Sequence, residues 1–281
     1  MGYQKLRQRT SIYIRLVSIH QLYTAVSILA IGILAAYFIL YPHTGPYLLE
    51  DISYVLHPSA SAAFALGEKH FNNTAPDAYD LNRAEYFFHV TAAIDLQYPY
   101  VYHELARISF LRGDFDMAMT QIDEQIKLHG DSEPNSYYVR GLIEGFKGDY
   151  VDSEQDYAHF LQFDPDDWAG VNDYAWVLLK DNKPGVAAAA IAKVLPYFQS
   201  NPWLLNSDAI ALYETGNTTA ALTKAQAALQ AVDALSPEDW AHAYPGNDFS
   251  IAAQGLSVFK AAVLENVHTI ESGKPASTLQ S

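Results

Sequence analysis

From about residue 58 to residue 230 apolar residues return every three or four positions, interrupted by glycine, asparagine, aspartate or proline. That rhythm puts the apolar side chains on one face of a helix, and almost no stretch alternates with the period of two that a strand needs. Small residues mark the beat. Ala84, Ala118, Ser153, Ala187 and Ala221 are separated by 34, 35, 34 and 34 residues. Four residues beyond each stand Phe88, Ile122, Tyr157, Ile191 and Ala225, on the same helical face. Twelve residues before the last four lie Ala106, Gly141, Ala175 and Ala209, small enough for two helices to approach closely. Five residues before them lie Gly113, Gly148, Asn182 and Gly216, the residue types that accept φ > 0 where a helix ends. Asp114, Asp149 and Asn217 follow as turn or cap residues, and Pro165 and Pro202 fall in the gaps between units. Each unit is therefore predicted to be a helix, a tight turn and a second helix.

RGDFDMA, KGDYVDS and TGNTTAA are three versions of one turn. With its 34-residue period, small close-packing residues and Gly-Asp-aromatic turn, the sequence resembles the tetratricopeptide repeat (TPR) family. The segment VNDYAWVLL at 171–179 looks like that family's first helix. Four units fit over about 100–230. A fifth, at about 59–97, has a suitable Leu66-Gly67 pair, but its distance to Ala84 is about five residues too long, the excess lying in Asn72-Asn73-Thr74-Ala75-Pro76. Tyr102 and Tyr137 stand near the point where the family carries a tryptophan. The resemblance implies an all-α, right-handed solenoid of about five helix-turn-helix repeats over 58–230. Residues 231–271 read as a C-terminal capping region. Ser236-Pro237-Glu238-Asp239 starts a helix, a loop follows, and a helix from about 249 to 270 carries Ile251, Leu256, Phe259 and Val263 on its apolar face. Residues 272–281 are expected to form a disordered tail.

The N-terminus has a different pattern. LYTAVSILAIGILAAYFILY, residues 22–41, holds no charge, and as a helix it is about 30 Å long, the thickness of a bilayer's hydrocarbon core. Tyr23, Tyr37 and Tyr41 lie near its ends, where amphipathic rings prefer the interface. The run is longer than the apolar region of a cleaved signal peptide and lacks a small-x-small ending, so it reads as a transmembrane helix. Residues 42–57 read as a juxtamembrane linker.

Charge gives this span a direction. The formal net charge of −15 divides into +4 on residues 1–41 and −19 on the rest. Lys5, Arg7, Arg9 and Arg15 all precede the span, and no base follows it until Lys69. By the positive-inside rule, residues 1–21 are a basic cytoplasmic stub and the solenoid is extracytoplasmic, in a single-pass cell-membrane protein. The acidic balance argues against nucleic-acid binding. The chain has no cysteine, hence no disulfide, thiolate metal site or thiol nucleophile.

Catalytic motifs are incomplete. His103-Glu104-Leu105-Ala106-Arg107 has arginine where a zinc-protease helix needs its second histidine. Gly255-Leu256-Ser257 lacks the second glycine of a nucleophile elbow, and Gly141 to Gly148 lacks the ending of a phosphate loop. Asp164-Pro165-Asp166-Asp167 lacks the glycine and distal glutamate of a calcium loop. The chain is therefore expected to be no enzyme and to hold no metal or cofactor. In a solenoid of helix pairs the first helices line a concave face that holds an extended peptide or a partner helix. Tyr100, His103, Arg107, Phe110, Tyr138, Leu142, Asn172, Trp176, Trp203, Asn206, Ile210 and Tyr213 are placed there. Asn172 and Asn206 hold equivalent places; in the family the sequence resembles, polar residues near that point often bind a ligand's backbone. The competing expectation is that these residues pack between units. The functional expectation is a membrane-anchored scaffold for protein or peptide partners, organising bacterial envelope machinery. The alternative is a regulatory or substrate-binding part of an envelope enzyme, with chemistry near His242, Asp248 and His268.

Overall fold

A computed structural model describes residues 21, 23–24, 26–33, 35, 54, 56–72, 79–243 and 248–279. The chain forms two compact units, residues 1–57 and 58–281. In the first, the described residues between 21 and 35 are helical, and Tyr23, Val26, Ile28, Leu29, Ile31 and Ile33 are exposed. Among the described residues no helix is long and apolar enough to cross a membrane. Most of the expected stub, the second part of the span and nearly all of the linker lie outside the described residues.

The second unit is a series of helix pairs. They are α1 (Ala60–Phe71) with α2 (Leu81–Ile94), α3 (Val101–Leu111) with α4 (Phe115–His129), and α5 (Asn135–Lys147) with α6 (Tyr150–Phe160). Next come α7 (Trp168–Lys180) with α8 (Pro184–Val194), and α9 (Pro202–Glu214) with α10 (Thr218–Asp233). The short α11 (Pro237–His242) and the long α12 (Ala252–Glu271) follow. Within the five pairs each helix packs most closely on its mate and then on a neighbouring pair, and α12 packs most closely on α10.

The small-residue columns are where the two helices of a pair meet. Ala84, Ala118, Ser153, Ala187 and Ala221 are completely buried, as are Phe88, Ile122, Tyr157, Ile191 and Ala225 four residues on. Ala106, Ala175 and Ala209 are also completely buried. At Gly141 a Cβ would stand 3.2 Å from the Tyr157 ring and 3.3 Å from the Ser153 carbonyl, so this helix crossing is set by a hydrogen atom. Gly67 does the same work in the first pair, where a Cβ would meet the Phe88 ring at 2.5 Å. The long spacing before Ala84 falls in the nine-residue connection from Asn72 to Asp80, part of which lies outside the described residues.

Helix ends follow local chemistry. Ser59, Asp80, Asp114, Asp167 and Asn201 cap α1, α2, α4, α7 and α9 by accepting backbone N–H groups. Asp149 and Asn217 occupy the same place before α6 and α10 without such a bond. Ser236 and Asp239 form a reciprocal capping box at α11. Gly113, Gly148 and Gly216 end first helices at φ 76°, 89° and 85°, and Asn182 does so at 57°. Nothing lies within 4 Å of a Cβ built on Gly148, so Gly148→Ala tests backbone strain alone. It is expected to cost about 1 kcal/mol in urea unfolding. Gly185→Ala, on the exposed first turn of α8, should cost nothing.

The C-terminal region departs from expectation at both ends of its helix. Leu256 and Val263 of α12 are buried and Phe259 is half-buried, but Ile251 precedes the helix and is exposed. Trp240 of α11 lies against Gly255, where a Cβ would overlap the indole. The segment 272–279, expected to be free, turns back onto the solenoid. The Tyr213 hydroxyl donates to the Lys274 carbonyl at 2.7 Å, and Leu279 packs on the last two apolar clusters. A leucine at 279 has apolar area to bury, which the polar composition around it conceals.

Candidate functional site

An open groove of about 750 Å³ runs along the first helices of four successive pairs. Its α1 wall is Phe64, Glu68 and Phe71, which share one helical face. α3 contributes Tyr100, His103, Glu104, Arg107 and Phe110, α5 contributes Tyr138, Leu142 and Phe146, and Asp167 and Asp173 close the far end.

Of the twelve residues placed on this face from sequence, Tyr100, His103, Arg107, Phe110, Tyr138 and Leu142 line the groove. The other six stand elsewhere. Ile210 is 1 % exposed and belongs to the core. Trp203 stacks on Phe259 of α12 at 5.1 Å and also meets Trp168. Tyr213 holds the Lys274 carbonyl. Trp176 lies beside the Phe146 ring at 5.3 Å, against Gly145. Asn172 accepts from the Ser207 hydroxyl at 2.9 Å, and Asn206 accepts from the Asn266 amide at 2.9 Å.

A single physical reason covers the two asparagines. His103, Tyr138, Asn172 and Asn206 are one column of the repeat, and each reaches the next first helix. His103 Nδ1 lies 3.3 Å from the Ser136 hydroxyl, and the Tyr138 hydroxyl donates to Asp173 at 2.6 Å. For Asn206 the next helix is α12. A buried amide without partners is costly, and here neighbouring repeats rather than a ligand supply them.

Sequence reasoning missed Phe64, Glu68 and Phe71, because the long connection after α1 hides the register of the first unit. Glu104 and Phe146 were also missed. Their helical phase relative to Tyr100 and Leu142 was the available signal.

The electrostatics centre on Arg107. Its guanidinium donates to Glu104 at 2.7 Å and lies 4.4 Å above the Phe71 ring. Burial pushes the Glu104 carboxyl up to about 7, Arg107 opposes this and Glu68 adds to it. Burial, assisted by Arg107, lowers His103 to about 3, so its imidazole is neutral. Burial also raises Glu68, which Arg107 and Asn72 oppose. Tyr100 sits in the left-handed region at φ 63°, with its ring edge-on to His103 at 5.4 Å. Its hydroxyl is pushed up to about 12, first by burial and then by Glu133. A bulky residue held there is strained, and its ring forms part of the groove wall.

A second buried acid lies off the groove. Glu144 is raised to about 8 by burial and by Asp156, against Arg140. Arg140 itself bridges Asp156 at 2.5 Å and Asp123 at 3.1 Å. His242 bonds the Glu238 carbonyl at 2.9 Å, Asp248 accepts from the Ser250 N–H, and His268 is exposed. Among the described residues no group of three His, Asp or Glu is arranged to hold a metal ion.

No family model and no curated protein matches the chain. Solved structures do. The type IV pilus biogenesis factor PilW is similar at 14% identity and TM-score 0.56, covering 75% of this chain and 98% of that one. A tetratricopeptide repeat protein from Parabacteroides merdae gives 10% identity, TM-score 0.55, and coverage of 86% and 97%. A chain of the APC/C hetero-tetramer Cut9–Hcn1 gives 14% identity, TM-score 0.56, and coverage of 87% and 46%. At such identities the likeness defines the fold: the described residues between 58 and 279 form a TPR-type α-solenoid.

Proposed function

We propose that this chain is a single-pass membrane-anchored scaffold, with its N-terminus in the cytoplasm and its solenoid outside, binding protein partners and carrying out no catalysis of its own. The observation that carries the reading is the groove: open, about 750 Å³, with aromatic walls and charged groups along four first helices. Rigid aromatic rings at a concave surface are the anchors that binding hot spots favour. The likeness to a pilus biogenesis factor and to a hetero-tetramer chain supports a role in assembling other proteins. The uncharged run at 22–41 and the bases before it support the anchor and its direction. Organisation of bacterial envelope machinery is the role that fits an anchored, extracytoplasmic solenoid.

Cross-linking of the full chain in native membranes tests this reading. A reproducible protein partner should be recovered, and Phe110→Ala with Tyr138→Ala should reduce its yield at least tenfold. Protease added from outside should remove the solenoid and spare the N-terminal stub. Recovery that ignores both substitutions would refute the groove, and protection of the solenoid would refute the topology.

A further inference from the structure

The groove has more carboxyl groups than its own cation can balance. Arg107 is the one lysine or arginine among its described lining residues, against Glu68, Glu104, Asp167 and Asp173. Asp173 accepts the Tyr138 hydroxyl and Asp167 caps α7, so both have local donors. At the α1 end, two carboxylates share one guanidinium. Arg107 gives its short ion pair to Glu104. Glu68 accepts from the Asn72 amide at 2.5 Å through Oε2, while its Oε1 is buried and has no hydrogen-bond partner. His103, buried and neutral, adds no positive charge. A carboxyl kept from water without enough donors is an expensive anion, which is why burial raises both glutamates; a cation arriving at the Glu68 carboxyl, which lines the groove, takes the place of the proton held there. The rings of Phe64 and Tyr100 line the same end, and aromatic faces attract ammonium and guanidinium groups.

The geometry points to a cationic side chain, a lysine or arginine carried by an extended segment of a partner protein, as the occupant of the α1–α3 end of the groove, with Glu68 as its counter-charge. This rests on the reading of the groove as a protein-binding site. A free small cation uses only this end. A protein segment also covers the apolar stretch that follows, where Phe110 and Phe146 meet edge-on at 5.0 Å and Phe146 remains 56 % exposed. The −19 charge beyond residue 41 steers basic segments toward the solenoid.

The test uses the full chain in detergent and a library of random capped dodecapeptides. Peptides retained by the wild-type protein should be enriched at least threefold in lysine or arginine at one position. Glu68→Gln should abolish that enrichment while total retention stays within about twofold. Glu104→Gln should act alike, because Arg107 then turns to Glu68 and the surplus charge is gone. This second variant guards against a local packing effect of the first. Glu271→Gln, at an exposed position at the end of α12 and not among the groove's lining residues, should leave the enrichment in place. Retained peptides with no charge preference, or rich in acids, overturn the cationic seat and leave the binding groove standing. Enrichment that survives both glutamine variants also overturns the seat. Failure to retain any peptide overturns the groove and the seat with it.

Discussion

Phe88→Ala is expected to remove about 4 kcal/mol of stability, the range for deleting a buried aromatic side chain. Phe88 is completely buried between α1 and α2. Its ring lies 5.3 Å from that of Phe64 and 6.4 Å from that of Phe71, and it presses on the bare backbone of Gly67. The cavity cannot close easily, because Gly67 has no side chain to move into it. Stability in a repeat array is largely a sum over neighbours, so the loss should be local. Hydrogen exchange should show α1 and α2 opening well before α9 and α10. Partner capture should fall as well, since Phe64, Glu68 and Phe71 form one wall of the groove. Uniform loss of protection along the solenoid would show that the pairs unfold as one unit.

The second large effect is in pH. Glu104 and Glu144 are held near 7 and 8, above an ordinary value of 4.5. An acid raised in this way binds its proton more tightly folded than unfolded. Its contribution is complete below about pH 4.5 and is lost as the pH rises through the folded value. His103 works in the opposite sense: its lowered value stabilises the fold above about 6.5, a contribution lost as the pH falls toward 3. Between pH 6.5 and 8.5 the His103 contribution is complete, while the loss from Glu104 and Glu144 continues. Stability should fall across that interval by on the order of 2 kcal/mol. Thermal unfolding should record a midpoint lower by roughly 5 °C at the alkaline end. Glu144→Gln keeps the shape of a protonated carboxyl and removes its titration, so it should flatten most of the slope. A wild-type midpoint that does not move between these pH values would contradict both assignments.

The sequence displayed the solenoid clearly because its demands are local and repeated. Only small residues fit where Ala118, Ser153 and Ala187 sit, and only glycine or asparagine comfortably ends a helix at the angles of Gly148 and Asn182. The groove was half legible for the same reason. Tyr100 to Leu142 lie in consecutive units, so helical phase alone brings them together. Trp203, Asn206 and Tyr213 obey the same phase, but α12 and the segment behind it cover them from about 60 residues away. Periodicity carries no information about such a visitor. Burial alone cannot separate a polar residue waiting for a ligand from one already bonded to the next repeat, and Asn172 proved to be the second kind.

The Asn206–Asn266 bond has a consequence for how such an array can lengthen. Asn206 receives from α12 the kind of contact that Asn172 receives from α9. α12 thus imitates the front of a sixth unit, and residues 272–279 turn back onto the solenoid instead of forming the second helix of that unit. A unit duplicated within the series would find a matched neighbour on each side. A unit appended after residue 271 would meet the outer surface of α12, where Gln254, Glu265 and Glu271 point to solvent. Lengthening is therefore easier within the series than against the outer surface of α12, which acts on the array as a stop acts on a zip.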